Sequence, residues 1–167
     1  MIGPCQGVVL VVALQRLAEV ALGERNRRRL VARGGVEVGA GHYPLFFLVH
    51  GGWLVSLAVL VPADAAIVWP WLVLFVALQP LRLWVIASLG ARWTTRIVVV
   101  PGEPLVERGP YRLVRHPNYV VVVLEIAALP LAFDAFAIAA VFSLANALLL
   151  RHRIRIEAAA LGPLRRP

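Results

Sequence analysis

Residues 109–119 concentrate side chains capable of chemistry in an otherwise apolar chain. The segment holds one imidazole, two guanidinium groups, two phenols and one amide. Pro117 directly follows His116, and because proline is tolerated in the first turn of a helix, we predict that a helix begins there. His116 would then lie at a helix N-terminus, where unpaired N–H groups favour an anionic or electron-rich group of a ligand.

The elements that must position this segment are membrane helices. Hydrophobic residues make up 60% of the 167 positions and the mean hydropathy is +0.80, which excludes an ordinary soluble domain. The predicted fold is an all-α polytopic membrane protein of one domain (1–167), with a three-helix N-terminal part (1–90) and a C-terminal part (91–167) that contains the candidate site. Five apolar runs approach the roughly 20 residues that a crossing helix needs: 7–22, 44–61, 65–89, 118–133 and 135–150. The last two are short, and they form either two tilted helices in a tight hairpin or a pair that does not fully cross.

The distribution of charge predicts a topology. All 17 basic residues are arginine, and apart from Arg16 and Arg82 they fall in three clusters, at 25–33, 92–115 and 151–166. The two other connections hold only Asp64 and Asp134. Because arginine-rich connections stay in the cytoplasm, the pattern predicts an N-terminus outside and a cytoplasmic C-terminus in the inner (plasma) membrane. Basic residues spread in this way are not typical of a nucleic-acid surface, so nucleic acid is not an expected partner.

The longest connection between apolar runs is residues 94–114. Its stretch 97–100 is β-branched and is followed by a Pro-Gly-Glu-Pro turn, which predicts a short extended piece rather than a helix. Long connections in small proteins are usually functional.

A metal centre is not expected. The single cysteine, Cys5, cannot form a cysteine cluster. His42, His50 and His152 do not have the spacing of a recognised metal motif.

Four ionisable residues fall inside the apolar runs: Arg16, Glu19, Arg82 and Glu125. Charges at that depth cost about 2.5 kcal/mol or more each, so they pair or line a cavity. Arg16 and Glu19 are three residues apart and can pair on one helix, and Arg82 can pair with Glu19 or Glu125. For Glu125 two interpretations remain open: a general base whose pKa is raised by its apolar surroundings, or an ion pair with Arg82.

The sequence resembles the isoprenylcysteine carboxyl methyltransferase superfamily of membrane methyltransferases. The resemblance rests on residues 105–119, with the core Gly-Pro-Tyr-Arg…Arg-His-Pro…Tyr, followed by an apolar hairpin and an arginine-rich helix end with Glu157. The same core is found in phospholipid N-methyltransferases and, more loosely, in nicotinamide-dependent sterol reductases.

The N-terminal half is similar to the bacterial branch encoded beside type III polyketide synthases, whose members are taken to O-methylate alkylpyrones and alkylresorcinols. The segments that carry this similarity are 15–19, 24–26, 35–39, 42–44, His50, 89–94, and 115–119 with Glu125. A functional association with such a synthase is the corresponding partner expectation, beside membrane lipid and a lipophilic small-molecule acceptor.

The resemblance implies a cytoplasmic pocket for S-adenosylmethionine that opens toward the lipid for the acceptor. Carried over by motif, Glu157 lies near the ribose or amino-acid end of the cofactor and Arg153 is associated with the acceptor. The expected catalytic residues are therefore Glu125, Arg153 and His116, and the expected cofactor-binding residues are Tyr111, His116, Pro117, Tyr119 and Glu157. The family usually has two adjacent acidic residues where this chain has Glu157 followed by Ala158.

Three function classes remain open from the sequence. The first is O-methylation of a phenolic lipid or pyrone. The second is another reaction on the same scaffold, either carboxyl methylation of a prenylated thiol compound or reduction with a nicotinamide cofactor. The third is a non-enzymatic membrane scaffold or small transporter. In a transporter, charged residues would be spread along a transmembrane path, whereas here the polar residues are concentrated near one membrane face.

Overall fold

The computed structural model describes residues 3–162 and contains five α-helices and one two-stranded antiparallel ribbon. The helices are α1 (Pro4–Ala32), α2 (Tyr43–Leu60), α3 (Trp69–Leu89), α4 (Pro117–Leu131) and α5 (Phe136–Leu161). The strands are β1 (Val36–Val38) and β2 (Ile97–Val99), with Glu37 opposite Val98. The all-α polytopic fold is confirmed, and the ribbon is a small addition to it.

Proline and glycine mark the boundaries of these helices. Proline occupies the first turn of α1, α2, α3 and α4, where its missing N–H and restricted φ angle suit the helix start. The predicted helix start at Pro117 is confirmed, with His116 as its N-cap residue. After α1 and α3 the chain turns at Gly34 (φ 87°) and Gly90 (φ 55°), conformations that residues with a Cβ rarely adopt.

Four of the helices, α1, α2, α3 and α5, are long and apolar enough to cross a membrane. Helix α5 continues well beyond the predicted run 135–150, through the arginines, to Leu161. Helix α4 has 15 residues, about 22 Å of length, against the roughly 30 Å of a bilayer core. Large apolar side chains face outward along the bundle, for example Leu48 (70% exposed) and Val59 (73%), as expected for a surface that contacts lipid.

The five helices enclose a common interior, because α2 contacts α1 and α5, and α4 contacts α3 and α5. One end of the bundle has an apolar core that includes Trp53, Leu57, Ile126 and Leu129, each at most 1% exposed. The other end carries the ribbon, the long connection and the arginine clusters. Arg165 and Arg166 of the third cluster lie outside the described residues.

The ribbon joins the two halves of the chain at the arginine end. The stretch predicted to be extended, 97–100, forms β2 as far as Val99. Its partner β1 lies between α1 and α2, and this pairing was not predicted because three residues carry too weak a strand signal. Through this pairing, the segment between α1 and α2 is attached to the long connection that leads to residues 109–119.

Candidate functional site

A cavity of about 920 Å³ lies at the arginine end of the bundle. Its walls come from the end of α3, strand β2, the following connection, the start of α4 and the last turns of α5. The predicted site residues that line it are Tyr111, His116, Tyr119, Arg153 and Glu157. The structure therefore brings together five of the seven predicted residues, which come from two separate parts of the chain, the segment 109–119 and the end of α5.

Four of these side chains form a connected polar group. The Tyr119 hydroxyl accepts a hydrogen bond from Nε of Arg153 at 2.9 Å and donates one to the carboxylate of Glu157. Nδ1 of His116 lies 3.9 Å from Oε2 of Glu157, and the His116 and Tyr119 rings are stacked with their centroids 5.3 Å apart. Arg153 and Glu157 can share this site because residues four apart project from the same face of a helix.

The guanidinium of Arg153 is buried, with 8% of the residue exposed. Its Nη1 donates to the carbonyl oxygen of Thr95 at 2.9 Å, and its Cζ lies 5.0 Å from the centroid of the Phe46 ring. Within residues 3–162 it has no carboxylate partner in a salt bridge, and its hydrogen bonds go to a phenol and a carbonyl. A buried cation without a counter-ion costs free energy, so this arrangement favours an anionic group of a ligand beside Arg153.

Tyr111 and Asn118 of the 109–119 motif also line the cavity. Burial, followed by the charge of Glu157, raises the pKa of the Tyr111 phenol, so the hydroxyl stays protonated and can donate a hydrogen bond to a ligand. The side-chain oxygen of Asn118 is buried without a hydrogen-bond partner among the described residues. Sequence reasoning did not select Asn118, although its position in the first turn after His116 and Pro117 was a usable signal.

Pro117 is buried and does not line the cavity. Its ring starts α4 and thereby sets the position of His116 as the N-cap residue. Ala158, which stands where the family usually has a second acidic residue, is also absent from the cavity wall. In a helix the next residue is turned by about 100°, so only one residue of the pair 157–158 can face the cavity here.

Glu125 does not line the cavity either, and it is 1% exposed. It lies nine residues from His116, about 13 Å along the helix axis. Its Oε2 accepts hydrogen bonds from Arg82 at 2.9 Å and from Arg16 at 2.8 Å, and its Oε1 accepts one from Gln79 at 3.0 Å. Of the two interpretations left open by the sequence, the ion pair with Arg82 is present, and the catalytic role stays a prediction.

The remaining intramembrane charges belong to the same network. Glu19 receives two hydrogen bonds from Arg82, each at 2.6 Å, and pairs with Arg16 at 3.0 Å as predicted from their spacing. Gln15 donates to Glu19 and to Gln79, each at 3.1 Å. Two arginines and two glutamates therefore neutralise each other between α1, α3 and α4. Such pairing is what charges at this depth require.

The comparisons with known proteins agree with this architecture. The model of the isoprenylcysteine carboxyl methyltransferase (ICMT) family matches residues 71–163, which contain every lining residue predicted from the sequence. Over 159 residues the chain is 40% identical to a Bacillus subtilis (strain 168) protein named "Uncharacterized protein YpbQ", covering 92% of this chain and 94% of that protein. No solved structure matches. The chain, with its membrane-crossing helices and its cavity at one end of the bundle, therefore belongs to the isoprenylcysteine carboxyl methyltransferase family of membrane methyltransferases.

Proposed function

We propose that the protein is an S-adenosylmethionine-dependent enzyme that methylates an oxygen atom of a lipophilic acceptor such as an alkylpyrone or alkylresorcinol. The observation that carries this proposal is the buried Arg153, which lines a large cavity and lacks a carboxylate partner among the described residues. An acceptor oxyanion is the group that this guanidinium favours.

The cavity residues fit the cofactor. S-adenosylmethionine carries cationic groups, a carboxylate, hydroxyls and an adenine ring. The cavity offers the Glu157 carboxylate, the stacked rings of His116 and Tyr119, and the Asn118 oxygen, which has no partner among the described residues. Tyr111 adds a phenol that stays protonated. The volume of about 920 Å³ is at the upper end of the range for small-molecule sites, which leaves room for an acceptor ring beside the cofactor.

When bound, the cofactor supplies an activated methyl group. The protein residues then hold the acceptor oxygen in line and exclude water. Arg153 binds the enolate of an acidic 4-hydroxypyrone directly. For a resorcinol, whose hydroxyl is less acidic, the imidazole of His116 takes the proton and the nearby Glu157 carboxylate stabilises the resulting cation. Glu125 has no part in this scheme, because its oxygens are held by Arg16, Arg82 and Gln79.

The acceptor reaches the site from the bilayer. Phe46, which lies against Arg153, is on α2, and on the same helix Phe47 and Leu48 are 50% and 70% exposed. In this proposal the cavity end of the bundle is cytoplasmic, in the inner (plasma) membrane. A type III polyketide synthase on that side would deliver its lipid product to the same membrane.

Carboxyl methylation of a prenylated cysteine is the second candidate, and the described activity of the matching family favours it. A carboxylate is already an anion at neutral pH, so it needs Arg153 but no proton acceptor. The two candidates therefore differ in their requirement for His116 as a base.

The proposal is tested with protein purified in detergent, methyl-labelled S-adenosylmethionine and three separate acceptors: an alkylpyrone, an alkylresorcinol and a prenylated cysteine. We expect labelled pyrone or resorcinol, and loss of labelling in Arg153→Gln. If only the prenylated cysteine is labelled, the acceptor is a prenylated cysteine and not an alkylpyrone or alkylresorcinol. No label on any acceptor, together with no cofactor binding by calorimetry, would contradict the methyltransferase proposal.

A further inference from the structure

The segment between α3 and β2 binds the Arg153 guanidinium through a residue outside the cavity wall. The Thr95 carbonyl accepts the hydrogen bond from Nη1 of Arg153, whereas Thr95 itself does not line the cavity. The guanidinium plane is therefore set by two acceptors, the Thr95 carbonyl on one side and the Tyr119 hydroxyl on the other. The N–H groups left over are the ones available to an acceptor oxyanion.

The Thr95 side chain is held in turn by the N-terminal helices. Its hydroxyl lies 2.8 Å from the Tyr43 hydroxyl at the start of α2. On the other side, α1 approaches so closely at Gly23 that a Cβ there would be 3.0 Å from the Thr95 nitrogen and 3.1 Å from its methyl carbon. Thr95 is thus clamped between α1 and α2.

Neighbouring residues hold the same segment. The Arg96 guanidinium lies 4.1 Å from the centroid of the Tyr43 ring and donates a hydrogen bond to Glu37 of β1 at 2.7 Å. The bond to Glu37 raises the pKa of Arg96 above its ordinary value. Asn26, 2% exposed, donates to the Trp93 carbonyl at 2.9 Å. These contacts come from the N-terminal segments that the proposed mechanism has not used.

We propose that Tyr43 is a positioning residue for the acceptor, acting through Thr95 on the orientation of Arg153. This inference rests on the proposed methyltransferase function and deepens it. The route leads to the acceptor side of the site, because Tyr119 lies between Arg153 and the cofactor candidates Glu157 and His116. Loss of the Tyr43 hydroxyl should therefore affect acceptor binding and leave cofactor binding unchanged.

The test compares Tyr43→Phe and Thr95→Val with the wild type. The phenylalanine keeps the ring beneath Arg96, and the valine keeps the shape of threonine without its hydroxyl. Each change removes one hydrogen bond, so we expect the acceptor KM to rise roughly two- to tenfold. The calorimetric Kd for S-adenosylmethionine should stay within about twofold.

Three further variants separate positioning from general stability. Thr95→Ser keeps the hydroxyl and should restore the acceptor KM. Tyr43→Phe combined with Thr95→Val should be no worse than either single change, because both remove the same bond. Ser143→Ala removes a hydroxyl on α5 that has no partner among the described residues, and it should change neither constant.

The outcomes are distinguishable. Wild-type protein that transfers no methyl group to any acceptor contradicts the proposed function and this inference together. An active wild type whose acceptor KM is unaffected by Tyr43→Phe contradicts the inference alone. So does a Tyr43→Phe variant whose Kd for the cofactor weakens in parallel with the acceptor KM, because that result indicates a loosened site.

Discussion

At the scale of single residues, Arg153 determines the chemistry that this site favours. It is buried, its hydrogen bonds to the described residues go to two uncharged oxygens, and the centroid of the Phe46 ring lies 5.0 Å from its Cζ. A guanidinium in such surroundings binds an oxyanion more strongly than one exposed to water, because the effective dielectric constant is lower. The neighbouring Tyr119 links Arg153, which the proposed function assigns to the acceptor, to Glu157, which it assigns to the cofactor.

His116→Ala tests the cofactor side. We expect the affinity for S-adenosylmethionine to fall by roughly tenfold or more, because the variant loses the ring stacked on Tyr119 and a polar group beside Glu157. Calorimetry on purified protein measures this change. The matched control is His152→Ala on the exposed face of α5, outside the cavity wall. Equal losses in both variants would contradict the assignment of His116.

Ala158→Glu tests whether a second carboxylate is missing from the site. Because adjacent helical residues do not face the same way, we expect the added carboxylate to leave cofactor affinity within about twofold. Glu157→Gln should clearly weaken the affinity for the cofactor, since Glu157 lines the cavity. A strong gain of affinity in Ala158→Glu, measured by the same calorimetry, would indicate that position 158 also reaches the cofactor.

At the scale of elements, the ion-pair network joins α1, α3 and α4 below the cavity. Glu125 and Glu19 each contact both Arg16 and Arg82, so no pair is isolated. The structural consequence is that three helices meet at a fixed depth without exposing charge to lipid. On α4 the contact is made by Glu125, which joins this helix to Arg82 of α3 and Arg16 of α1.

Glu125→Gln should destabilise the fold by about 3–5 kcal/mol, because it leaves the buried Arg82 and the half-buried Arg16 with one carboxylate. The measurement is the thermal midpoint of the purified protein in detergent. Glu24→Gln is the matched control: Glu24 also binds two arginines, Arg27 and Arg28, but at the surface, where we expect little change. A Glu125→Gln variant of normal stability and slow turnover would instead support a catalytic role.

At the scale of the whole molecule, three layers follow one another along the bundle axis: the apolar core, the ion-pair network, and the cavity with the arginine clusters. This order separates the cavity from the opposite end of the bundle by a packed interior. Both halves of the chain build the cavity end, since β1 pairs with β2 and α5 contacts both strands.

The orientation of the bundle is tested with single cysteines in a Cys5→Ser background. One variant is Asp64→Cys, at the end of the bundle opposite the cavity. The other is Leu113→Cys, at the cavity end, where Leu113 is 80% exposed. In intact cells a membrane-impermeant maleimide should label position 64 and not position 113, because arginine-rich segments stay in the cytoplasm. The reverse labelling would overturn the proposed cytoplasmic placement of the site.

The sequence by itself determined the membrane fold and the family. Long apolar runs can only be helices in a bilayer, because the backbone must satisfy its own hydrogen bonds there, and Pro117 determined where α4 begins. The spacing of Arg16 and Glu19 was enough to predict their pair. All of these are local properties, readable from a few turns of one helix.

Only the tertiary structure decided which residues meet. The Glu125 carboxylate was isolated in its own helix, yet residues from α1 and α3, 109 and 43 positions away, hold it. Thr95 and Tyr43 carried no motif that connects them to Arg153, and their roles appear only where α1, α2, β2 and α5 converge. Such contacts depend on how helices pack against one another, and the period of a single helix does not encode that packing.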